Sequence, residues 1–79
     1  MSQRRYKLIS FRKVKKLTQK DVVVILKNAH DIEITESYYG MIEQGVRTPK
    51  LNIALAISDI FETEANEIFF WGKTQQKVV

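Results

Sequence analysis

The chain contains no cysteine, one proline and three glycines among its 79 residues. Without cysteine, neither a disulfide framework nor a thiolate zinc site can hold the fold. No apolar run approaches the roughly 18 residues that a membrane helix needs, and the first residues lack the apolar segment of a secretion signal. We therefore expect a cytoplasmic protein that has no membrane partner and is folded by its apolar core alone.

The apolar fraction of 44% is sufficient for one small core and argues against disorder. We expect a single domain over 1–79, with a helical core at about 6–70 and flexible ends at 1–5 and 72–79. A second, ligand-sensing domain does not fit in this length, so no cofactor and no small-molecule ligand is expected.

Positive charge is concentrated at one end of the chain. The first 20 residues contain eight Lys or Arg and no Asp or Glu, whereas the remainder contains five basic and nine acidic residues. A polyanion is the natural partner of such a segment, because neutralising phosphates releases condensed counterions. The alternative is a basic helix face that is merely solvated.

Apolar spacing and capping residues predict helices in the first half. Leu8 and Phe11, three positions apart, predict a short amphipathic helix over 6–16. Thr18 is a predicted N-cap, with Asp21 three residues later as its reciprocal partner. The apolar run that follows, Val22-Val23-Val24-Ile25-Leu26, fits a buried strand as well as a helix, and its β-branched residues alone favour a strand.

The second half has clearer boundaries. A polar connection over 27–34 leads to Thr35, a predicted N-cap of a helix that ends at about Gln44. Gly45 and Pro49 then form a helix stop. Two more helices are predicted, a short one over about 64–70 and, before it, one over 51–61 from the spacing of Leu51, Ala54, Leu55, Ser58 and Phe61.

Two stretches of the sequence resemble the Cro/repressor-type (XRE) helix-turn-helix family. They are Leu17-Thr18-Gln19-x3-Val23 and Ile34-Thr35-x-Ser37-Tyr38-x2-Met41-Ile42-Glu43-Gln44-Gly45-x-Arg47-x-Pro49. The Ile-Glu-x-Gly-x-Arg-x-Pro string falls where the family's recognition helix ends, and the resemblance covers roughly residues 6–70. It implies an all-α, five-helix lambda-repressor-like DNA-binding domain with a lengthened connection between the two helix-turn-helix helices. It also implies that the run 22–26 is helical, since tertiary context overrides weak propensity.

The chain departs from the family pattern at four points. Leu26 and Ile34 are separated by seven residues, about six more than in the pattern, so either helix 2 is longer or the connection loops out. Val23 replaces a small alanine, Tyr39 replaces a buried aliphatic residue, and Gly40 replaces a polar residue that often contacts a base. We expect the hydroxyl of the tyrosine to find a hydrogen-bond partner.

The resemblance implies a sequence-specific regulator of transcription, a repressor associated with the nucleoid. The implied partner is double-stranded DNA, which the helix 35–44 is expected to read in the major groove. The expected base contacts are Glu36, Ser37, Gly40 and Met41. The expected contacts to the DNA backbone are Gln19, Tyr38, Gln44, Arg47, Lys16 and Lys20.

Two structural expectations follow from the same resemblance. Arg12 and Glu43 match positions that form a partly buried ion pair, so we expect a direct contact whose role is orientation more than net stability. A homodimer is expected at least on DNA, because one domain covers only a half-site. The aromatic residues 69–71 are the candidate surface for it, although Phe69 is expected to lie in the core.

Two alternative functions fit the same sequence. The same fold serves in antitoxins, and a protein-interaction module that has lost DNA binding is a further alternative. His30 is interpreted as an ordinary loop histidine and not a metal ligand, because no second cluster of ligands accompanies it. The sequence has no Ser/His/Asp set, paired-carboxylate pocket or phosphate-binding glycine loop, so an enzyme is not expected.

Overall fold

The computed structural model describes residues 4–69, and within this range the chain forms five helices and no strand. In chain order they are α1 (Tyr6–Val14), α2 (Gln19–His30), α3 (Glu36–Gln44), α4 (Leu51–Ile60) and α5 (Ala65–Ile68). This part of the chain is therefore all-α, as expected. No helix in it has the length and apolar character needed to cross a membrane.

The apolar run 22–26 is helical although its local propensity favours a strand. At the start of α2, the Thr18 hydroxyl accepts from the Asp21 N–H at 3.0 Å, and the Asp21 carboxylate accepts from the Thr18 N–H at 2.8 Å. These reciprocal bonds satisfy backbone donors that the helix leaves unpaired. Val22 and Leu26, one turn apart, are fully buried, so core packing decides the conformation of this segment.

The residues between Leu26 and Ile34 that exceed the family pattern lie partly in α2 and partly in the connection to α3. α2 continues one turn past Leu26, to His30, and only 31–35 are non-helical. The predicted polar connection over 27–34 is therefore wrong for its first four residues. The helix stops where Asp31 adopts the left-handed conformation (φ 57°), which releases the chain towards α3.

The core receives side chains from all five helices. α2 packs against α3 and α4, while α5 packs against α4 and α1. Phe11 and Phe61 stack with their ring centroids 6.3 Å apart and join α1 to the end of α4. The buried apolar residues are Leu8, Val22, Leu26, Tyr39, Ile42, Ile53, Ala54, Ala56, Ile57, Phe61 and Ile68.

α4 buries only part of the predicted set, since Ala54, Ser58 and Phe61 are buried but the two leucines are not. The spacing predicted that Leu51 and Leu55 point inward, but they are 62% and 52% exposed. Ile53 and Ile57 are buried instead. Ser58 is buried as well, because its hydroxyl donates to the backbone carbonyl four residues earlier at 2.8 Å. In a helix that is apolar on most sides, periodicity cannot identify the inner face.

Two helices are shorter than predicted. α1 ends at Val14 because Lys16 adopts the left-handed conformation (φ 60°). α5 ends at Ile68, and Phe69 is partly buried against the core. The other two candidate residues for self-association, Phe70 and Trp71, lie outside the described residues.

Candidate nucleic-acid interface

α3 has a buried face and an outward face. Its buried residues are Tyr39, Ile42 and Glu43. The outward face and the start of α2 together form an open groove, which is lined by Gln19, Glu36, Ser37, Gly40, Met41 and Gln44. These comprise all four predicted base contacts and two of the predicted backbone contacts. The structure therefore brings the central residues of the predicted site onto one surface.

The beginning of α3 is fixed by its cap. The Thr35 hydroxyl accepts from the Tyr38 N–H at 2.9 Å. Glu36 and Ser37 consequently lie on the exposed first turn, where the positive end of the helix favours an anion. An α-helix with its side chains is about 10–12 Å across, which fits the roughly 12 Å width of a DNA major groove.

A largely buried ion pair joins α3 to α1. Arg12 Nε donates to Glu43 Oε2 at 2.6 Å, and Arg12 Nη2 donates to Glu43 Oε1 at 3.1 Å. The two side chains are 13% and 3% exposed, so the predicted contact is present and shielded from water. Arg12 Nη1 also donates to the Leu17 carbonyl at 2.9 Å. The hydrogen bond to Glu43 raises the pKa of Arg12, and the two-pronged geometry fixes how α3 sits on α1.

Glu43 also orients a residue of the groove. Gln19 Nε2 donates to Glu43 Oε1 at 2.9 Å, and the Gln19 side chain lies over Gly40. A Cβ atom at position 40 would be 3.4 Å from Gln19 Oε1, which is van der Waals contact, and a longer side chain would meet the amide. Gly40 thus leaves the space that the glutamine amide occupies. Gln19 and Gly40 were each expected at the interface from the sequence, but their contact with each other was not expected.

Tyr39 does not behave as expected. It is fully buried, and its hydroxyl makes no hydrogen bond to any residue in the described part of the chain. Burial, and then the negative charge of Glu43, raise the pKa of Tyr39 far above its usual range. Glu43 is the charged group that acts on this hydroxyl, but the two do not meet with the geometry of a hydrogen bond, so the expected partner is missing from the described residues.

Arg5 was expected in a flexible N-terminal end, but it is bound to the end of α3. Its Nη1 donates to the carbonyls of Ile42 at 2.7 Å and Arg47 at 3.1 Å, and its backbone N–H donates to the Glu43 carbonyl at 2.8 Å. Its guanidinium carbon lies 5.2 Å from the ring centroid of Phe69, within cation–π range. A cation is favourable beside the free carbonyls of a helix C-terminus. In the sequence, nothing distinguishes this arginine from its solvated basic neighbours.

The remaining predicted contacts lie outside the groove. Lys16, Lys20 and Arg47 are exposed, which suits contact with a phosphate. Tyr38 is partly buried against the core, so only part of its side chain is free for a contact.

His30 is the last residue of α2 and not a loop residue, which corrects the expectation. Its Nε2 lies 3.6 Å from Asp59 Oδ2, a contact that links the ends of α2 and α4. Within residues 4–69, no three His, Asp or Glu side chains are arranged to hold a metal ion.

Comparison of the chain with protein-family models, curated proteins and solved structures finds no match. The groove beside α3, its hydrogen-bonding groups and the surrounding charges are therefore the basis on which a function can be proposed.

Proposed function

We propose that this protein is a sequence-specific, double-stranded DNA-binding regulator of transcription, a repressor that reads the major groove with α3. The observation that supports this most strongly is the division of α3 into two faces. Its inner face is buried and ion-paired to α1, while its outer face presents short or flexible side chains on successive turns. A rigidly held helix with an open outer face can enter a groove without first reorganising.

The outward side chains have the chemistry that base edges require. The Glu36 carboxylate can accept from the amino group of cytosine, and the Ser37 hydroxyl can bond either base type. Met41 can contact the methyl group of thymine. Because the major groove presents a distinct pattern for each base pair, a surface of this kind selects a sequence as well as a duplex.

Exposed basic residues supply the attraction that does not depend on sequence. Lys16 and Lys20 flank the start of α2, and Arg47 follows α3. Cations in these positions can neutralise phosphates beside the groove and set the orientation of the domain. Since one α3 covers only a half-site, the proposal includes a homodimer on a two-fold symmetric site.

A binding selection from a random duplex pool, at low and at near-physiological salt, tests this function. The expected result is enrichment of a two-fold symmetric motif at both salt concentrations. Ser37→Ala and Met41→Ala are expected to change the preferred bases, whereas the control Asn52→Ala, exposed on α4, leaves the motif unchanged. Binding that weakens with salt and enriches no motif would mean that the basic N-terminal segment attracts DNA without sequence preference. This result would refute the proposal.

A further inference from the structure

Gly40 is the one groove-lining position of α3 without a side chain, and a residue of α2 occupies the space. From the point where a Cβ of residue 40 would lie, the Oε1, Nε2 and Cδ atoms of Gln19 are 3.4, 3.9 and 4.0 Å away. The amide group of Gln19 therefore stands where a longer side chain of α3 would begin. The groove keeps a polar group at this place, supplied from the neighbouring helix.

The orientation of this amide is determined by its partner. Glu43 Oε1 accepts from Gln19 Nε2 at 2.9 Å, and Glu43 itself is held by Arg12. An ionised carboxylate only accepts hydrogen bonds, so the NH2 end of the amide must face it. One N–H of Gln19 is used in this way. The second N–H and Oε1 are not bonded by any other residue within 4–69 and remain as one donor and one acceptor.

We infer that Gln19 is a base-reading residue, which takes the place of the side chain that Gly40 lacks and recognises an adenine. The inference rests on the proposed function and changes the role first expected for Gln19. A phosphate offers only acceptors, so it leaves Oε1 without a partner and close to anionic oxygens. The major-groove edge of adenine offers the N7 acceptor beside the N6 donor, which matches the free donor and acceptor of this amide.

The fixed geometry makes this contact selective. A glutamine side chain that no neighbour holds in place loses conformational entropy when it binds a base. Its amide group can also rotate and exchange the positions of donor and acceptor. Gln19 is already held by Glu43 and confined over Gly40, so that rotation brings the amide oxygen against the carboxylate. A guanine at the same position presents O6, an acceptor, where adenine presents a donor, and is therefore disfavoured.

The test compares the wild type with Gln19→Ala on the wild-type selected operator and on operators with each base pair changed. We expect Gln19→Ala to lose preference at one A·T pair per half-site while the other preferences persist. Affinity for the selected operator should fall about 10- to 100-fold for each half-site that is bound, as for the loss of one bidentate base contact in each. On operators in which that A·T pair is replaced, wild type and variant should bind equally well. The contact that the variant lacks is then absent from the wild-type complex too, which is the sign that the residue and the base pair are coupled.

Two further variants make the result specific. Gly40→Leu extends a side chain beyond Cβ into the space that the amide occupies, so it should displace the amide and weaken preference at the same base pair. Lys20→Gln, on the same turn of α2 but exposed, should weaken binding uniformly across sequences. If Gln19→Ala selects the wild-type motif at every position, or loses the same affinity on every operator, the residue does not read a base. If the wild type itself enriches no motif, the proposed function fails, and the inference fails with it.

Discussion

Glu43 shows how a charged side chain is tolerated inside a core of this size. Its carboxylate is 3% exposed and accepts two hydrogen bonds from Arg12 and one from Gln19. Removing water from a carboxylate is costly, and these three donors replace the water. The arrangement ties α1, α2 and α3 to one point, so its disruption affects both the stability and the geometry of the groove.

Replacing Glu43 with alanine is expected to lower the free energy of unfolding by about 3 kcal/mol, because Arg12 is left largely buried without its partner. Urea unfolding followed by circular dichroism measures the change. The matched control is Glu67→Ala, which breaks the exposed ion pair with Lys7 and should cost no more than about 0.5 kcal/mol. Equal losses for the two variants would show that the Arg12–Glu43 pair is not buried in solution.

Tyr39→Phe removes a buried hydroxyl that has no hydrogen bond within residues 4–69. We expect the variant to be as stable as the wild type at neutral pH, or more stable by up to about 1 kcal/mol. Because burial raises the pKa of Tyr39, its neutral form is favoured by the fold. The associated stability is complete below the ordinary tyrosine pKa of about 10 and is lost as pH rises further.

The pH dependence distinguishes Tyr39 from an ordinary tyrosine. Between about pH 9 and 11, the wild type should lose more stability than Tyr39→Phe in denaturant titrations. Tyr6→Phe, at a side chain that is 71% exposed, should follow the wild type over the same range. A destabilised Tyr39→Phe protein at neutral pH would mean that the hydroxyl has a partner after all.

The ends of the helices carry avoidable strain. α1, α2 and α4 are followed by Lys16, Asp31 and Glu62 in the left-handed conformation, with φ between 56° and 60°, whereas α3 is followed by Gly45. This conformation costs residues with a Cβ roughly 1 to 2 kcal/mol. Glycine adopts it readily but loses more entropy on folding.

Lys16→Gly and Glu62→Gly are therefore each expected to stabilise the fold by about 0.5 kcal/mol, seen as a higher urea midpoint with an unchanged slope. Lys15→Gly provides the comparison, since Lys15 has a negative φ of −84° and should only lose stability. The idea fails if Lys16→Gly and Lys15→Gly shift the midpoint in the same direction.

The starts of helices could be predicted from the sequence better than their ends. Thr18 and Thr35 cap α2 and α3 through hydrogen bonds to residues only three positions later, so the sequence alone indicates them. The ends could not be predicted as well, because Lys16 and Asp31 adopt the left-handed conformation in which a helix is usually followed by glycine. The inner face of α4 was ambiguous because too many of its residues are apolar.

The candidate site shows the same division. Its location on α3 could be predicted, since the string Ile-Glu-x-Gly-x-Arg-x-Pro, which begins at Ile42, marks the end of that helix. The Gln19–Gly40 contact and the docking of Arg5 depend on how distant segments pack, and neither residue has a distinctive local pattern. Tertiary contacts between single side chains therefore determine the finer features of the groove.

At the scale of the whole molecule, charge is separated along the chain. The first 20 residues carry a net charge of +8, and the remainder carries −4. Exposed acidic groups, including Asp59, Glu62, Glu64 and Glu67, border a shallow depression between α4 and α5. If the proposed function holds, a duplex is attracted to one part of such a molecule and repelled from another, and this orients its approach before any base is read.

Salt dependence tests whether the lysines at the start of α2 contact phosphates in the proposed complex with DNA. The logarithm of the association constant should fall linearly with the logarithm of salt concentration, and Lys16→Gln or Lys20→Gln should each reduce the magnitude of the slope by about one for each half-site that is bound. Both should weaken binding to selected and scrambled duplexes by the same factor, because a phosphate contact carries no sequence information. Lys27→Gln is the control, since Lys27 is exposed further along α2 and pairs with Glu33 at 3.1 Å. If this variant reduces the slope as much as the other two, the attraction comes from net charge alone, and the phosphates have no fixed place beside the groove.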